Sequence, residues 1–126
     1  MKRARPLAAS VLVAALMAGA QPTIAAESPF EGQLVRLAEV LGSLHYLRNL
    51  CGEDSRTWRD RMQALLEAEN PDEARRTRFV ASFNRGYRSY EGTYSSCTES
   101  AIEAINRFVR EGEALTRDTA SRFGNQ

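Results

Sequence analysis

The side chains able to do chemistry gather between Gly42 and Cys51, in the run Gly-Ser-Leu-His-Tyr-Leu-Arg-Asn-Leu-Cys. His45 is the only histidine, Arg48 falls inside an apolar stripe, and Cys51 is one of two cysteines, the other being Cys97. An imidazole beside a thiolate is the raw material of a nucleophile-base pair or of a metal site. Neither is completed here. One histidine cannot fill a metal site without clustered thiolates or carboxylates, and no nucleophile-elbow motif occurs. Covalent haem needs Cys-x-x-Cys-His, which is missing, and Met62 is the only methionine beyond the first 26 residues, which excludes a methionine-rich copper site. Di-iron bundles use Glu-x-x-His from facing helices, and this chain has none. The expectation is therefore a non-enzyme with no cofactor and no metal.

Two sets of residues are candidates for binding. His45, Arg48 and Tyr94 would line an anion-accepting notch, the arginine offering a planar fork of donors to carboxylate or phosphate. The plainer alternative makes Arg48 a last-turn cation that complements the helix dipole and pairs with a carboxylate, and His45 a hydrogen-bonded boundary residue. The second set is an arginine cluster, Arg75, Arg76, Arg78, Arg85 and Arg88, with no acid between Glu73 and Glu91. Its simplest reading is a solvated face paired with acids of neighbouring helices. Its sharper reading makes Arg78, Arg85 and Arg88 a docking patch for an acidic envelope protein or an anionic envelope polymer.

The elements that position these residues begin after a leader. Lys2, Arg3 and Arg5 precede an uncharged run from Leu7 to Ala20, and Thr23-Ile24-Ala25 supplies the small residues a signal peptidase reads. This pattern predicts a secretory signal peptide over residues 1–26, cut after Ala25 or Ala26, because the run is shorter than the ~20 residues a membrane span needs. The mature chain, residues 27–126, is expected to be one helical domain, periplasmic or secreted, without stable membrane insertion. Losing three leader cations leaves 14 basic against 16 acidic residues. That balance argues against nucleic acid as a partner. Every basic residue beyond the leader is arginine. Two cysteines in an oxidising compartment are expected to pair, the alternative being two free buried thiols.

Apolar residues recur at helical spacing throughout the mature chain, with no sustained alternation. A first helix is predicted over about Phe30 to Leu50, with Ser28 as N-cap, Pro29 at the first helical position and Gly52 as the C-terminal stop. Its broad apolar face holds Phe30, Leu34, Leu37, Val40, Leu41, Leu44, Leu47 and Cys51, and Val35, Tyr46 and Leu50 lie on a second side. A second helix, capped by Asp54 or Ser55, runs to about Glu69 with Trp58, Met62, Leu65 and Leu66 on one face. Asn70-Pro71 ends it and opens a third, with Asn70 as N-cap and Glu73 completing a capping box, through about Tyr94. There Phe79, Val80, Phe83, Tyr87, Tyr90 and Tyr94 form the core stripe. Beside it runs a ribbon of small residues, Ser82, Gly86, Ser89 and Thr93, suited to close approach of another helix. Ser96 or Thr98 caps the last helix, about Glu99 to Arg122, whose apolar face holds Ala101, Ile102, Ile105, Phe108, Val109, Gly112, Leu115 and Phe123. Glu103, Arg107, Glu111, Glu113 and Arg117 cover its other side as a solvated face.

Four helices with short connections predict an all-α, antiparallel up-down four-helix bundle. In that topology the junction holding Cys51 and the junction holding Cys97 lie at the same end, so one disulfide between the two loops is expected.

The segments Leu41 to Gly52, Asn70 to Tyr90 and Cys97 to Phe108 resemble a family of short exported alphaproteobacterial proteins known only as a domain of unknown function. The resemblance covers essentially the whole mature chain. It implies export, an alphaproteobacterial origin and a pair of well-separated cysteines matching Cys51 and Cys97, and it brings no reaction, cofactor or catalytic residue. Residues and resemblance together point to a non-catalytic binding or interaction module of the cell envelope. The alternatives are a small-ligand binder with a pocket between the first and third helices and, behind it, a carboxylate-based envelope hydrolase. Closing a loop of this length contributes about 4 kcal/mol in the chain-entropy model. Cys51→Ser is therefore expected to lower the melting temperature by more than about 10 °C, read by circular dichroism. An unchanged melting curve would remove the disulfide from its structural role.

Overall fold

The computed structural model describes residues 2–4, 19 and 30–123, the side chains of 121–123 excepted. The rest of the expected leader with its cleavage point, the Ser28 cap with Pro29, and the Phe123 side chain lie outside the described residues. Within them the chain is all-helical, with four helices and no strand: α1 (Glu31–Leu50), α2 (Thr57–Glu69), α3 (Glu73–Glu91) and α4 (Glu99–Phe123). No described helix is long and apolar enough to cross a membrane.

Helix ends follow local chemistry. Gly52 takes a positive φ of 101° after Cys51, the left-handed stop that a side chain would disfavour. Thr98 caps α4, its Oγ1 accepting the Ala101 N–H at 3.1 Å. The α2–α3 junction departs from expectation. Asn70 does not cap α3; it closes α2 in a left-handed conformation (φ 41°), donating its N–H to Leu66 O. The cap of α3 falls to Asp72, whose carboxylate accepts the Arg75 N–H at 2.9 Å, so α3 starts two residues beyond Pro71. Asparagine tolerates the left-handed region better than most residues, which lets it end one helix rather than start the next. At the head of α2, Arg56 occupies the cap position with no side-chain cap, so neither Asp54 nor Ser55 plays the expected part.

The helices pack around α1. It is in contact with α2, α3 and α4, whereas the α4 backbone approaches neither α2 nor α3 among the described residues. Two apolar clusters result. On one side Leu34, Ala38 and Leu41 meet Met62 and Leu66 of α2 and Phe79 and Phe83 of α3. On the other, Val40, Leu44 and Leu47 meet Ala101, Ala104, Ile105 and Phe108 of α4. This explains the breadth of the α1 apolar face: one helix serves two cores. Two residues expected in the core are instead exposed, Val80 at 38% and Ile102 at 47%. α3 and α4 each bury one narrow face on α1, so positions at the margins of their stripes reach water.

The α1–α3 seam is built from small residues. Gly42 of α1 and Ser82 and Gly86 of α3 are buried. A methyl group on Gly42 would stand 1.9 Å from the Phe83 carbonyl oxygen, and one on Gly86 would stand 2.1 Å from the Glu39 carbonyl oxygen. Ser43, 1% exposed, satisfies its hydroxyl by donating to Glu39 O at 2.9 Å. The ribbon of small residues thus does admit a neighbouring helix at Ser82 and Gly86, while Ser89 and Thr93 are exposed.

Cys51 and Cys97 form a disulfide that joins the end of α1 to the approach to α4. Gly42→Ala or Gly86→Ala is expected to destabilise the fold by about 3 kcal/mol, because the collision is with backbone that cannot rotate aside. Gly112→Ala is the control: its added carbon would meet only Val40 Cγ1 at 3.4 Å, so it should be neutral or slightly stabilising through helix propensity. Chemical denaturation of the three variants reads the difference.

Candidate functional site

The residues predicted to form a notch are dispersed by the helix packing. His45 looks towards α3, its ring 6.0 Å from that of Phe83 and 5.7 Å from that of Tyr87. Its Nδ1 lies 3.3 Å from Asn49 Nδ2. Burial, with the nearby positive charges of Arg59 and Arg56, holds its pKa below the ordinary imidazole value. Arg48 turns instead to the α1–α2 junction, where its Nε donates to Glu53 Oε2. The indole N–H of Trp58 reaches the same oxygen at 3.4 Å. Hydrogen bonding to Arg48 holds the Glu53 carboxyl below its usual range. Tyr94 offers only its backbone carbonyl, which accepts from the Tyr46 hydroxyl, and its ring stacks on Tyr90. The junction is thus a set of mutual ties, with Asn49 Oδ1 also accepting the Ser55 N–H at 3.1 Å.

The arginine cluster is largely absorbed by acids of α1 and α2. Glu31, 4% exposed, receives Arg75 through Nε and Nη2 at 3.2 and 2.8 Å, with Arg78 Nη1 at 3.5 Å. Arg75 Nη2 also reaches Glu69 at 3.2 Å, and its guanidinium lies 5.3 Å from the Phe79 ring centroid. The two carboxylates raise the Arg75 pKa further above its ordinary value. Arg85 meets Glu39 at 3.6 Å and donates to Ser82 Oγ at 3.1 Å. Arg88 is exposed and lines a shallow depression with Ala81, Asn84, Arg85 and Ser89. The buried carboxylate of Glu31 is closed in by guanidinium groups rather than facing a cleft, an arrangement suited to tying three helix ends together.

Another concave feature lies elsewhere among the described residues. Since α2 and α4 both pack on α1 without approaching each other, a groove of about 700 Å³ opens between them. Its floor is the buried α1 surface of Val40, Leu41 and Leu44. Half-buried Leu37, Trp58 and Val109 form the walls, and exposed Thr57, Arg61, Asn106, Glu113, Thr116 and Arg117 form the rim. At Gly42 and Gly86 the seam between the first and third helices, where a small-ligand pocket was the alternative expectation, is closed by backbone against backbone.

Sequence reasoning placed Trp58 in the core and Glu113 and Arg117 on a solvated face, and so did not join them into one site. The signal available was the spacing of Asn106, Glu113 and Arg117 beside Val109 and Gly112, which puts polar residues along one margin of the α4 apolar face. Among the described residues no group of three or more His, Cys, Asp and Glu side chains is placed to hold a metal ion.

A family model described as a protein of unknown function (DUF2385) matches residues 29–123, which takes in all four helices and the disulfide. The chain belongs to this family. No curated protein and no solved structure matches it. Family membership attaches no reaction to the groove, so its chemistry must be argued from its own lining.

Proposed function

We propose that the chain is an exported, non-catalytic binding module of the cell envelope, and that the groove between α2 and α4 is its binding surface. The observation that carries this reading is the groove itself: concave, of a size that suits small molecules, with an apolar floor and a polar rim. The reactive side chains elsewhere are already engaged. Both cysteines are in the disulfide, His45 sits among aromatic rings and Asn49, and Glu31 is held by Arg75 and Arg78. Each engagement weighs against catalysis at those positions.

Export rests on the leader pattern, to which the disulfide adds support because such bonds persist in oxidising compartments. Periplasmic location and alphaproteobacterial origin belong to the same reading. So does an up, down, up, down order of the helices. Supporting that order, Glu31 pairs with Arg75 and Glu39 with Arg85 going up α1 and α3, whereas Arg36 pairs with Glu111 and Cys51 with Cys97 going up α1 and down α4. The arginine cluster is the lesser candidate for an acidic envelope partner or an anionic polymer, because Arg75, Arg78 and Arg85 are spent on Glu31, Glu69 and Glu39.

A photo-crosslinking residue at Thr116, on the groove rim, tests the proposal in living cells against one at Ala114, also exposed but on another side of α4. The expected result is a light-dependent adduct from Thr116, recovered in the periplasmic fraction, with Ala114 at background. Equal adducts from both positions, or recovery of the protein in the cytoplasm, would contradict it.

A further inference from the structure

We propose that His45 and Asn49 form an acid-sensitive latch, which holds the head of α2 against α1 and loosens when the imidazole is protonated. Three contacts of one amide make it. Asn49 Oδ1 accepts the Ser55 N–H at 3.1 Å, and Asn49 Nδ2 donates to His45 O at 2.6 Å. These partners fix which end of the amide is oxygen, since a flip would set N–H against N–H at Ser55 and oxygen against oxygen at His45. Asn49 Nδ2 also lies 3.3 Å from His45 Nδ1, so that ring nitrogen accepts and the ring proton belongs on Nε2.

A proton added at Nδ1 turns this acceptor into a donor facing a donor. No orientation of Asn49 then serves the ring, the His45 carbonyl and the Ser55 N–H together. Ser55 keeps its other acceptor, Glu53 O at 2.9 Å, but that bond lies within the turn and does not reach α1. The groups around the ring add to the effect. From α2, Arg59 and Arg56 are the charges that act on it, and no carboxylate does. From α3 it meets the rings of Tyr87 and Phe83, which carry no counter-charge. Burial and the two guanidinium groups hold the imidazole pKa below its ordinary value. The folded state thus favours the neutral ring, so the latch is fully closed above the ordinary imidazole pKa and weakens as pH falls below it.

The head of α2 has little local support, because Arg56 occupies the cap position without a side-chain cap. Trp58 stands at that head, packed against both apolar clusters and lining the groove. Loosening the head therefore moves the indole and reshapes the groove, whether or not the groove holds a ligand.

His45 is the only histidine and Trp58 the only tryptophan, so each is followed alone. The oxidised protein is titrated from about pH 8 to about pH 5, with His45 read by proton NMR and Trp58 by its emission. Glu53, which touches the indole, stays charged over this range because hydrogen bonding to Arg48 holds its carboxyl below the usual values. His45 is expected to titrate below the ordinary imidazole value, with Trp58 emission shifting at the same midpoint. His45→Gln, whose amide oxygen still accepts from Asn49, should leave the emission flat. Asn49→Asp, whose carboxylate accepts from both the protonated ring and Ser55, should raise the His45 midpoint by about one pH unit or more and keep the head of α2 closed.

An emission shift that persists in His45→Gln would overturn the proposal. So would a flat emission in the unsubstituted protein while His45 titrates, or a His45 midpoint that Asn49→Asp leaves unmoved.

Discussion

Direct backbone contact between α1 and α3 at Gly42 and Gly86 is the constraint on which the remaining architecture depends. With no side chain at either position, the two helices close until each glycine lies against the other's main chain, next to the Phe83 and Glu39 carbonyls. α3 therefore occupies one side of α1 completely. α2 and α4 must take what is left of the α1 surface, each beside its own apolar cluster, with Trp58 of α2 packed against both. A regular four-helix bundle would close its ring on both sides of α4; α3 meets α4 through side chains, the Tyr90 ring 5.2 Å from that of Phe108. Here that ring is open between α2 and α4, so the groove is a consequence of the same packing that makes α1 central.

Specific ties then hold each outer helix in place on α1. The Glu31–Arg75–Glu69 group fastens the start of α1 to the α2–α3 junction, and Arg36 reaches Glu111 of α4 with two hydrogen bonds at 2.8 and 2.9 Å. At the other end the disulfide joins α1 to the approach to α4, while Arg48, Glu53 and Trp58 brace the turn into α2. Of these the buried carboxylate is the most demanding, since Glu31 without Arg75 would be a charge stranded away from water. Its role is architectural, and so is that of most of the arginine cluster. Two of the arginines without such a tie, Arg61 and Arg117, stand at the groove.

Much of the fold was legible because its cues are local. Gly52 signals a helix stop by what glycine alone permits, Thr98 caps with its own hydroxyl, and the ribbon at Ser82 and Gly86 announces a close neighbour. The pairing of Cys51 with Cys97 followed from connectivity. What sequence reasoning misplaced depends on azimuth around α1, which periodicity does not fix. Val80 and Ile102 sit at the margins of apolar stripes, and whether a margin is covered depends on how many neighbours a helix has. His45 and Arg48 are one helical turn apart, yet one faces α3 and the other the α2 junction. Asn70 reads equally as the end of one helix or the start of the next, and only its left-handed backbone separates the two. The groove joins Trp58 and Arg61 to Arg117 across more than fifty residues, by way of a third helix, and no local pattern expresses that relation.

The central claim is that α1 is the common core element and that α2 and α4 are attached to it independently. Native-state hydrogen exchange on the oxidised protein, resolved along the chain, tests this most directly. α1 from Ala38 to Leu47, with the α3 stretch from Phe79 to Gly86, should exchange slowest and only through global unfolding, while α2 exchanges through smaller openings that leave α1 protected. Amides of α2 protected as strongly as those of α1, or α1 exchanging ahead of α4, would contradict the account.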